Sequence, residues 1–370
     1  MILPEVVKEK DTIVRPELNY RELGALNCSM IKLYDTDPVK FFEQFKLGRR
    51  KKELKGTNLV IGDLVDFYLL DCSGNEDEWT DRFDEKFALF DGAKGSGQVF
   101  ILADTLFEVT KNYLDEDNQI TETFDKRFTE AFQKVQALGK YSGKTEDKAL
   151  EDFNKNGAVY FQSLLDNIGK IVVDISLLTK AVKVADLLKT DEFTVDVFAD
   201  HENEETFAKF PIEWKWECES GTIIDCKSEI DLLKVNHSTK EIYLYDLKTT
   251  YDNENFEYAY IKYAYYLQAA FYFKAVKYWA KQEDMIDYHI HPMEFIVGDT
   301  SANNRRPIRF STEVHDLSNS LYGFSLRGVE HKGLFDLINE IDWAEKNDNW
   351  NCSKEVFEAN GRLKLNLKYD

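Results

Sequence analysis

Two aspartates and a lysine lie in one stretch of the chain, residues 221–250, whose pattern predicts a β-hairpin. Two runs rich in β-branched and aromatic residues flank a polar turn centred after residue 238. With that centre, Asp231 lies opposite Asp246, and side-chain alternation places Lys248 on the same face as Asp246. Carboxylate oxygens beside an ammonium group suit Mg²⁺ and a phosphate ester. The alternative is a solvated strand end with ordinary charged side chains.

A second signal lies in the long helix predicted after the hairpin, at residues 258–281. Its helical spacing places five residues on one face: Ile261, Tyr265, Gln268, Tyr272 and Trp279. A buried amide without a partner costs about 1–3 kcal/mol. We therefore expect Gln268 and Tyr272 to point at the acidic end of the hairpin and to contact substrate or metal-bound water. A core glutamine bonded to backbone is the alternative.

The remaining elements must position these residues. In chain order, the pattern predicts an N-terminal arm (1–25), a helix capped by Asn27 or Ser29, a helix beginning at Pro38, an apolar helix (58–70) that contains Asp66, and mainly helices over 98–190. An alternating strand (210–217), the hairpin, the long helix, a strand (293–297) and a largely helical stretch (318–344) follow. The alternating strand should pair with the hairpin in a three-stranded antiparallel meander.

These elements predict the fold class α/β (α+β): a mixed sheet with an antiparallel meander, flanked by helices, plus a large helical insertion. The expected segments are an arm with the first core helix (1–97), a helical insertion (98–205), the core (206–300), and a C-terminal helix and tail packed on the core (301–370). Together they form one compact domain.

Composition bounds the function. The 370 residues are 43% hydrophobic, which is typical of a folded globular protein. The formal net charge of −21 is unfavourable for nucleic-acid binding, which normally leaves a basic footprint. Two local basic groups run against that charge and are candidate DNA contacts: Arg49, Arg50, Lys51 and Lys52, and then Arg305 and Arg306. The alternative for both is a solvated loop or helix end.

The five cysteines are scattered and contain no C-x-x-C pair, which argues against disulfides, structural zinc and an iron–sulfur cluster. The chain has no run of 18 apolar residues, and its N-terminus lacks the order of a signal peptide. We expect a cytosolic protein without a membrane partner.

The motifs resemble the PD-(D/E)XK nuclease superfamily, in its RecB-like branch with the Q-x-x-x-Y motif. They are most similar to exonuclease VIII (RecE-like) proteins of phages and prophages. Three motifs occur in the family's order: Cys226-Lys227-Ser228-Glu229-Ile230-Asp231, Asp246-Leu247-Lys248-Thr249-Thr250 and Gln268-Ala269-Ala270-Phe271-Tyr272. The similarity covers most of residues 25–300 and includes Gly62 to Asp66 in the first core helix.

The resemblance implies a restriction-endonuclease-like core and Mg²⁺- or Mn²⁺-dependent hydrolysis of DNA, without an iron–sulfur cluster. The residues that it implies as metal ligands are Asp231, Asp246, the Leu247 carbonyl, Glu213 (in preference to Glu217) and Asp66. Its implied catalytic residues are the two aspartates, Lys248 to orient the attacking water, and Gln268 and Tyr272 to position nucleotide or water. Asp66 departs from the family, which usually has a histidine there.

The family pattern implies a 5′-to-3′ exonuclease on duplex ends, used in phage recombination in the host cytoplasm. Its implied partners are a single-strand annealing protein and further copies of the chain in a ring. Two alternatives stay open: an endonuclease or single-strand nuclease of the same superfamily, and a non-catalytic DNA-binding scaffold with a degraded site. The acidic surface and Asp66 motivate the scaffold.

Overall fold

A computed structural model describes most of the chain, namely residues 24–49, 57–71, 79–92, 97–301 and 305–363. The chain divides into two compact units, one made of residues 1–52 and 186–370 and the other of residues 53–185. The sequence placed the boundaries after residues 97, 205 and 300, whereas the contacts divide the chain after residues 52 and 185.

The described part of the first unit includes, near its start, two helices, α1 (Cys28–Thr36) and α2 (Pro38–Phe41), and a π-helical turn, Phe42–Lys46. The Asn27 side chain caps α1 by accepting a hydrogen bond from the Met30 backbone N–H at 3.0 Å. Asp37 caps α2, where Pro38 occupies the first position. Both predicted helix starts are confirmed.

The second unit is mostly helical. Its elements are α3 (Thr57–Asp66) with a π-helical turn (Phe67–Asp71), α4 (Trp79–Lys86), β1 (Phe87–Phe90), α5 (Gly97–Lys111), α6 (Phe124–Ala137), α7 (Glu146–Asn156), α8 (Ala158–Asp166), β2 (Ile171–Asp174) and α9 (Ile175–Thr190), whose last turn belongs to the first unit. Strands β1 and β2 pair in parallel and were not predicted. Four-residue apolar runs are too short for periodicity to separate strand from helix.

The rest of the first unit holds the main sheet. Its elements are α10 (Val195–Phe198), β3 (Glu204–Glu217), β4 (Ile223–Asn236), β5 (Glu241–Thr250), α11 (Phe256–Lys262), α12 (Tyr265–Gln282), β6 (His289–Ile290), β7 (Glu294–Asp299), β8 (Ile308–Ser311), α13 (Val314–Tyr322), β9 (Phe324–Leu326), β10 (Val329–His331), α14 (Leu334–Asn347) and α15 (Lys354–Glu358).

The main sheet has the order β3-β4-β5-β7-β8, with β6 also beside β5. Strands β3, β4 and β5 form the predicted antiparallel meander, while β5 pairs with β7 in parallel. The hairpin has the predicted register, since Leu232 pairs with Tyr245 and Asn236 with Glu241. The predicted fold class, a mixed sheet with an antiparallel meander flanked by helices, is confirmed.

Two predicted helices are interrupted. The long helix after the hairpin is broken between α11 and α12, where Ala264 has a left-handed backbone with φ +49°. The stretch 318–344 contains the hairpin β9–β10 between α13 and α14. Its turn residues Arg327 and Gly328 both have positive φ, which is the pattern of a type I′ hairpin turn. Helical periodicity was the wrong expectation at both places.

Helix α12 packs lengthwise on the sheet. The rings of Phe271 and Trp214 lie 4.7 Å apart, and those of Trp279 and Phe210 lie 5.2 Å apart. Phe271 and Trp214 are buried, and full burial of an aromatic side chain contributes about 1.5–3 kcal/mol. Together with the partly buried pair of Trp279 and Phe210, they fix the rotation of α12 about its axis. Within the described residues, no helix is long and apolar enough to cross a membrane.

Candidate active site

The site begins where side-chain alternation shifts in two neighbouring strands. Ile230 and Leu233 of β4 both face the same core, although they are three residues apart. Opposite them on β3, Phe207 and Phe210 do the same, and Lys209 between them has φ +47°. The backbone pairing skips this position, which lies between the pairs Ala208–Leu232 and Phe210–Ile230. Asp231, which follows Ile230 on β4, lies at this skipped position and is therefore not part of the regular strand pairing.

The Asp231 carboxylate joins three strands. Lys209 of β3 donates to its Oδ1 at 2.8 Å, and the Leu247 backbone N–H of β5 donates to its Oδ2 at 2.9 Å. The β4–β5 pairing ends at Leu232 and Tyr245, and from Asp246 onward β5 pairs with β7. Asp231 therefore satisfies a backbone donor of β5 just beyond the last pair of the hairpin ladder.

Asp246 and Lys248 lie side by side on β5, facing α12. Their side chains form an ion pair in which the carboxylate is fully buried. Gln268 of α12 donates through Nε2 to the Asp246 Oδ1 at 2.5 Å. Lys248 also donates to the Leu247 carbonyl oxygen at 3.2 Å. The amide that the sequence placed in an apolar stripe is thus bonded to the acidic end of the hairpin.

A second lysine approaches the group from α1. The Nζ of Lys32 lies 3.5 Å from the Gln268 Oε1, so the amide lies between a carboxylate and an ammonium. The Tyr265 ring covers both cations, with centroid distances of 4.8 Å to Lys32 and 5.0 Å to Lys248. Burial lowers the pKa of Lys32, and the nearby charge of Lys248 lowers it further.

At the centre of the site, the charges of neighbouring side chains outweigh burial in setting the pKa values of Asp231 and Lys248. Burial raises the pKa of the Asp231 carboxyl, but Lys209 and Lys248 outweigh it and keep that pKa below its ordinary value. Burial lowers the pKa of the Lys248 ammonium, but Asp246 and Asp231 outweigh it and hold that pKa above its ordinary value. Lys248 is therefore close enough to act on both carboxylates.

Tyr272 lies one helical turn beyond Gln268 on α12, half-buried against the core of the first unit. Glu213 is exposed on β3, paired in register with Lys227. It lies four residues along the strand from Lys209, a distance of roughly 13 Å. Asp66 is the last residue of α3, half-buried in the second unit. The structure thus gathers Asp231, Asp246, Lys248 and Gln268 and places Glu213 apart from them.

The predicted DNA-binding residues fall into three groups: one is exposed, three lie outside the described residues, and two are bound to carboxylates. Arg49 is exposed in the loop after the π-helical turn, and Arg50, Lys51 and Lys52 lie outside the described residues. Arg305 forms an ion pair with Asp252 at 2.5 Å. Arg306 stacks over Phe193 and binds two carboxylates, those of Asp191 at 2.8 Å and Glu192 at 2.7 Å. The pairs with Asp252 and Glu192 are solvent-exposed, and such pairs contribute about 0–1 kcal/mol to stability, whereas the Asp191 side chain is only 8% exposed.

No family model matches this chain, and no curated protein matches it at a significant level.

The carboxylate oxygens of Asp231 on β4 and Asp246 on β5 are of the type that Mg²⁺ prefers as ligands. Each oxygen of Asp231 and Asp246 accepts at least one hydrogen bond, and a carboxylate oxygen can accept two. Within the described ranges, no three His, Cys, Asp or Glu side chains form a group that could hold a metal. Two carboxylates completed by substrate phosphate and water are a common arrangement for Mg²⁺, whereas the ammonium of Lys209 competes with it for Asp231.

Sequence reasoning missed two cations of this site, Lys209 and Lys32. Lys209 interrupts the apolar residues 207–212 with its charge, but nothing local shows that its backbone is left-handed. Lys32 lies on the half-buried helix α1 between Ile31 and Leu33. A lysine in such a setting could have been noticed as a candidate partner for a buried acid.

Proposed function

We propose that the chain is a metal-dependent deoxyribonuclease of the PD-(D/E)XK type that hydrolyses phosphodiester bonds from the ends of duplex DNA. One observation carries the proposal: Asp246 and Lys248 are in contact in the second half of β5, and Gln268 donates a hydrogen bond to the aspartate. Asp231 is bonded to Leu247, the residue between them. Two carboxylates and an ammonium on adjacent strands match the resemblance in the sequence.

Asp231, Asp246 and the Leu247 carbonyl would hold Mg²⁺ or Mn²⁺. When bound, a divalent ion supplies positive charge against a scissile phosphate and acidifies water. The protein's own part is to fix these oxygens: Gln268 orients the Asp246 carboxylate, and the Leu247 N–H orients that of Asp231. Both partners lie on regular elements, α12 and β5, so the oxygens are held without a mobile loop.

Lys248 is positioned to orient a water molecule or a phosphate oxygen. Its ammonium lies beside the buried Asp246 carboxylate and next to the Tyr265 ring. An ammonium that is held in place before the substrate binds stabilises negative charge with little reorganisation. Tyr272, one turn beyond Gln268, is proposed to position the nucleotide.

The biological setting follows from the sequence resemblance. The proposal is a cytoplasmic enzyme of phage or prophage recombination that processes DNA ends, alongside a single-strand annealing protein and as a homo-oligomer. Endonucleolytic or single-strand cleavage by the same site is the nearest alternative.

One observation favours a non-catalytic DNA-binding scaffold instead. All four oxygens of Asp231 and Asp246 already have protein donors, and one donor is the ammonium of Lys209. In that case the carboxylates serve to join β3, β4 and β5, and the protein would retain DNA without cutting it.

Purified full-length protein, incubated with Mg²⁺ and linear, nicked or closed circular duplex, separates these functions. The exonuclease proposal predicts loss of linear duplex alone, with mononucleotides or short products released from the ends. Cutting of closed circles would show an endonuclease. Retention of DNA in a gel-shift assay without any cleavage, in Mg²⁺ or in Mn²⁺, would support the scaffold and refute the enzyme.

A further inference from the structure

A cleft of about 370 Å³ lies in the first unit between strand β3, at the edge of the sheet, and the C-terminal half of α12. Four lysines line it: Lys215, Lys274, Lys277 and Lys281. Glu217 is the acidic residue that lines it. The chain has a formal net charge of −21, so four lysines against one glutamate depart from its overall acidity.

Three of these lysines form a row on α12. Lys274, Lys277 and Lys281 follow i, i+3, i+7 spacing, which gives one side of a helix over about 10 Å. None of the three has a carboxylate within ion-pair distance in the part of the chain that the structure describes. Burial lowers the pKa of Lys274, and the charge of Lys277 lowers it further. Their mutual repulsion would be relieved by an anion.

Aromatic rings accompany the lysines. Tyr278 lies on the same side of α12, and Tyr322, at the end of α13, lines the cleft while 66% exposed. Trp216 also lines it, with the Lys274 ammonium 5.8 Å from its ring centroid. The buried indole N–H of Trp216 has no hydrogen-bond acceptor among the described residues. Of these rings, Tyr322 is exposed, Tyr278 is half-buried and Trp216 is buried. A row of cations beside an exposed ring is the arrangement that binds single-stranded nucleic acid, where phosphates contact lysines and bases stack on the ring.

We propose that this lysine–aromatic cleft binds a single-stranded segment of DNA, with phosphates along Lys274, Lys277 and Lys281 and a base stacked on Tyr322. The inference rests on the proposed function, because an enzyme that hydrolyses one strand from a duplex end leaves the other strand single. The row begins six residues after Gln268 on the same helix, about 9 Å along its axis. The cleft is therefore placed to hold the strand that is not cut.

Fluorescence anisotropy of an end-labelled oligothymidylate tests the cleft in EDTA, where cleavage plays no part. Replacing both exposed lysines, Lys277→Gln with Lys281→Gln, should weaken binding roughly twenty-fold at ~0.1 M salt, because each lost phosphate contact lowers the salt slope by about 0.7. The matched control is Lys148→Gln with Lys155→Gln on α7, which removes the same charge from two exposed lysines. It should leave the affinity unchanged.

Tyr322 separates strand binding from simple charge attraction. Tyr322→Ala should weaken binding about five-fold or more through lost stacking, and Tyr322→Phe, which keeps the ring, should not. The proposed role of the cleft would be overturned if the control pair of substitutions weakened DNA binding equally. It would also be overturned if the Lys277→Gln, Lys281→Gln variant bound DNA as wild type does. Displacement of the DNA by polyglutamate, with Tyr322→Ala binding as wild type, would show that the cleft receives an acidic protein segment instead.

The two proposals can fail separately. If the protein cleaves linear duplex but all variants bind oligothymidylate equally well, only the proposed strand binding by the cleft is refuted. If the lysine variant loses strand binding but the wild-type protein cuts no DNA, strand binding by the cleft is supported and the nuclease proposal is refuted.

Discussion

Lys209 and Asp231 face each other across β3 and β4 at a position that the backbone pairing skips, with 2.8 Å between Nζ and Oδ1. The lysine has a left-handed backbone, and both side chains are mostly buried, at 25% and 14% exposure. An ammonium therefore lies on one of the two carboxylates that we assign to the metal. Binding of a divalent ion and the Lys209 contact compete for the same charge.

Lys209→Ala should make the metal-free protein less stable and the metal bind more tightly. Removing the Lys209 ammonium takes a hydrogen-bond donor and a positive charge away from the mostly buried Asp231 carboxylate, which costs about 1–3 kcal/mol of stability. The same loss removes the competitor for Mg²⁺. Differential scanning fluorimetry should show a lower Tm in EDTA and a larger rise with Mg²⁺ than in wild type, and calorimetry a lower Kd.

Lys215→Ala is the control, since Lys215 is exposed on the same strand. It should leave both Tm and the Mg²⁺ response as in wild type. A Lys209→Ala variant whose Tm does not respond to Mg²⁺ at all would argue that Asp231 is not a metal ligand.

Gln268→Ala should lower both stability and cleavage. It removes the Nε2 donor from the Asp246 Oδ1 and leaves a buried carboxylate oxygen without that partner, at about 1–3 kcal/mol. Gln282→Ala, at the exposed end of the same helix, controls for the substitution itself. Urea denaturation measures the stability. If the Gln268 and Gln282 variants have the same midpoint, the amide does not hold the carboxylate.

The hairpin register could be predicted from sequence because a polar turn between two β-rich runs fixes which residues pair. Leu232 opposite Tyr245 follows from the turn position alone. The direction of Gln268 toward the acidic end of the hairpin could also be anticipated, because a polar residue in an apolar helical stripe needs a partner, although substrate or water was the expected partner rather than Asp246. Both inferences use side-chain periodicity, which is a local property of the chain.

The Lys209–Asp231 pair could not be predicted in the same way. It depends on a shift of alternation in two strands at once, and strict alternation was the basis of the strand prediction. The break of the long helix at Ala264 has no Gly or Pro signal, so packing of α11 and α12 decides it. The β9–β10 hairpin did have a signal, the Arg327-Gly328 turn, which helical periodicity on both sides concealed.

Lys234 provides a test of stability away from the site. Its ammonium is 2% exposed and donates to Glu204 at 2.8 Å and to the Ala199 carbonyl oxygen at 2.7 Å. Lys234→Met should destabilise the protein by about 3–5 kcal/mol, because Glu204 is left as a buried unpaired charge. Adding Glu204→Gln should recover part of that loss. Chemical denaturation of both variants checks this, and strictly additive losses would contradict it.

Ala264 should be sensitive to the shape of its side chain. Its φ of +49° is costly for a β-branched residue, so Ala264→Val should lose roughly 1–2 kcal/mol of unfolding free energy. Ala264→Gly, which adopts this conformation freely, should be tolerated. Thermal unfolding separates the two. A valine variant as stable as the glycine variant would mean that α11 and α12 join without a left-handed residue.

The most direct test of the proposed site is the rate of Mg²⁺-dependent nucleotide release from a linear duplex by wild type and Asp246→Asn. The control is Asp225→Asn, since Asp225 lies on β4 with its side chain 77% exposed. We predict release by wild type and by the control, and a loss of about a hundred-fold or more in Asp246→Asn. Equal rates in all three proteins, or no release by wild type, would contradict the account.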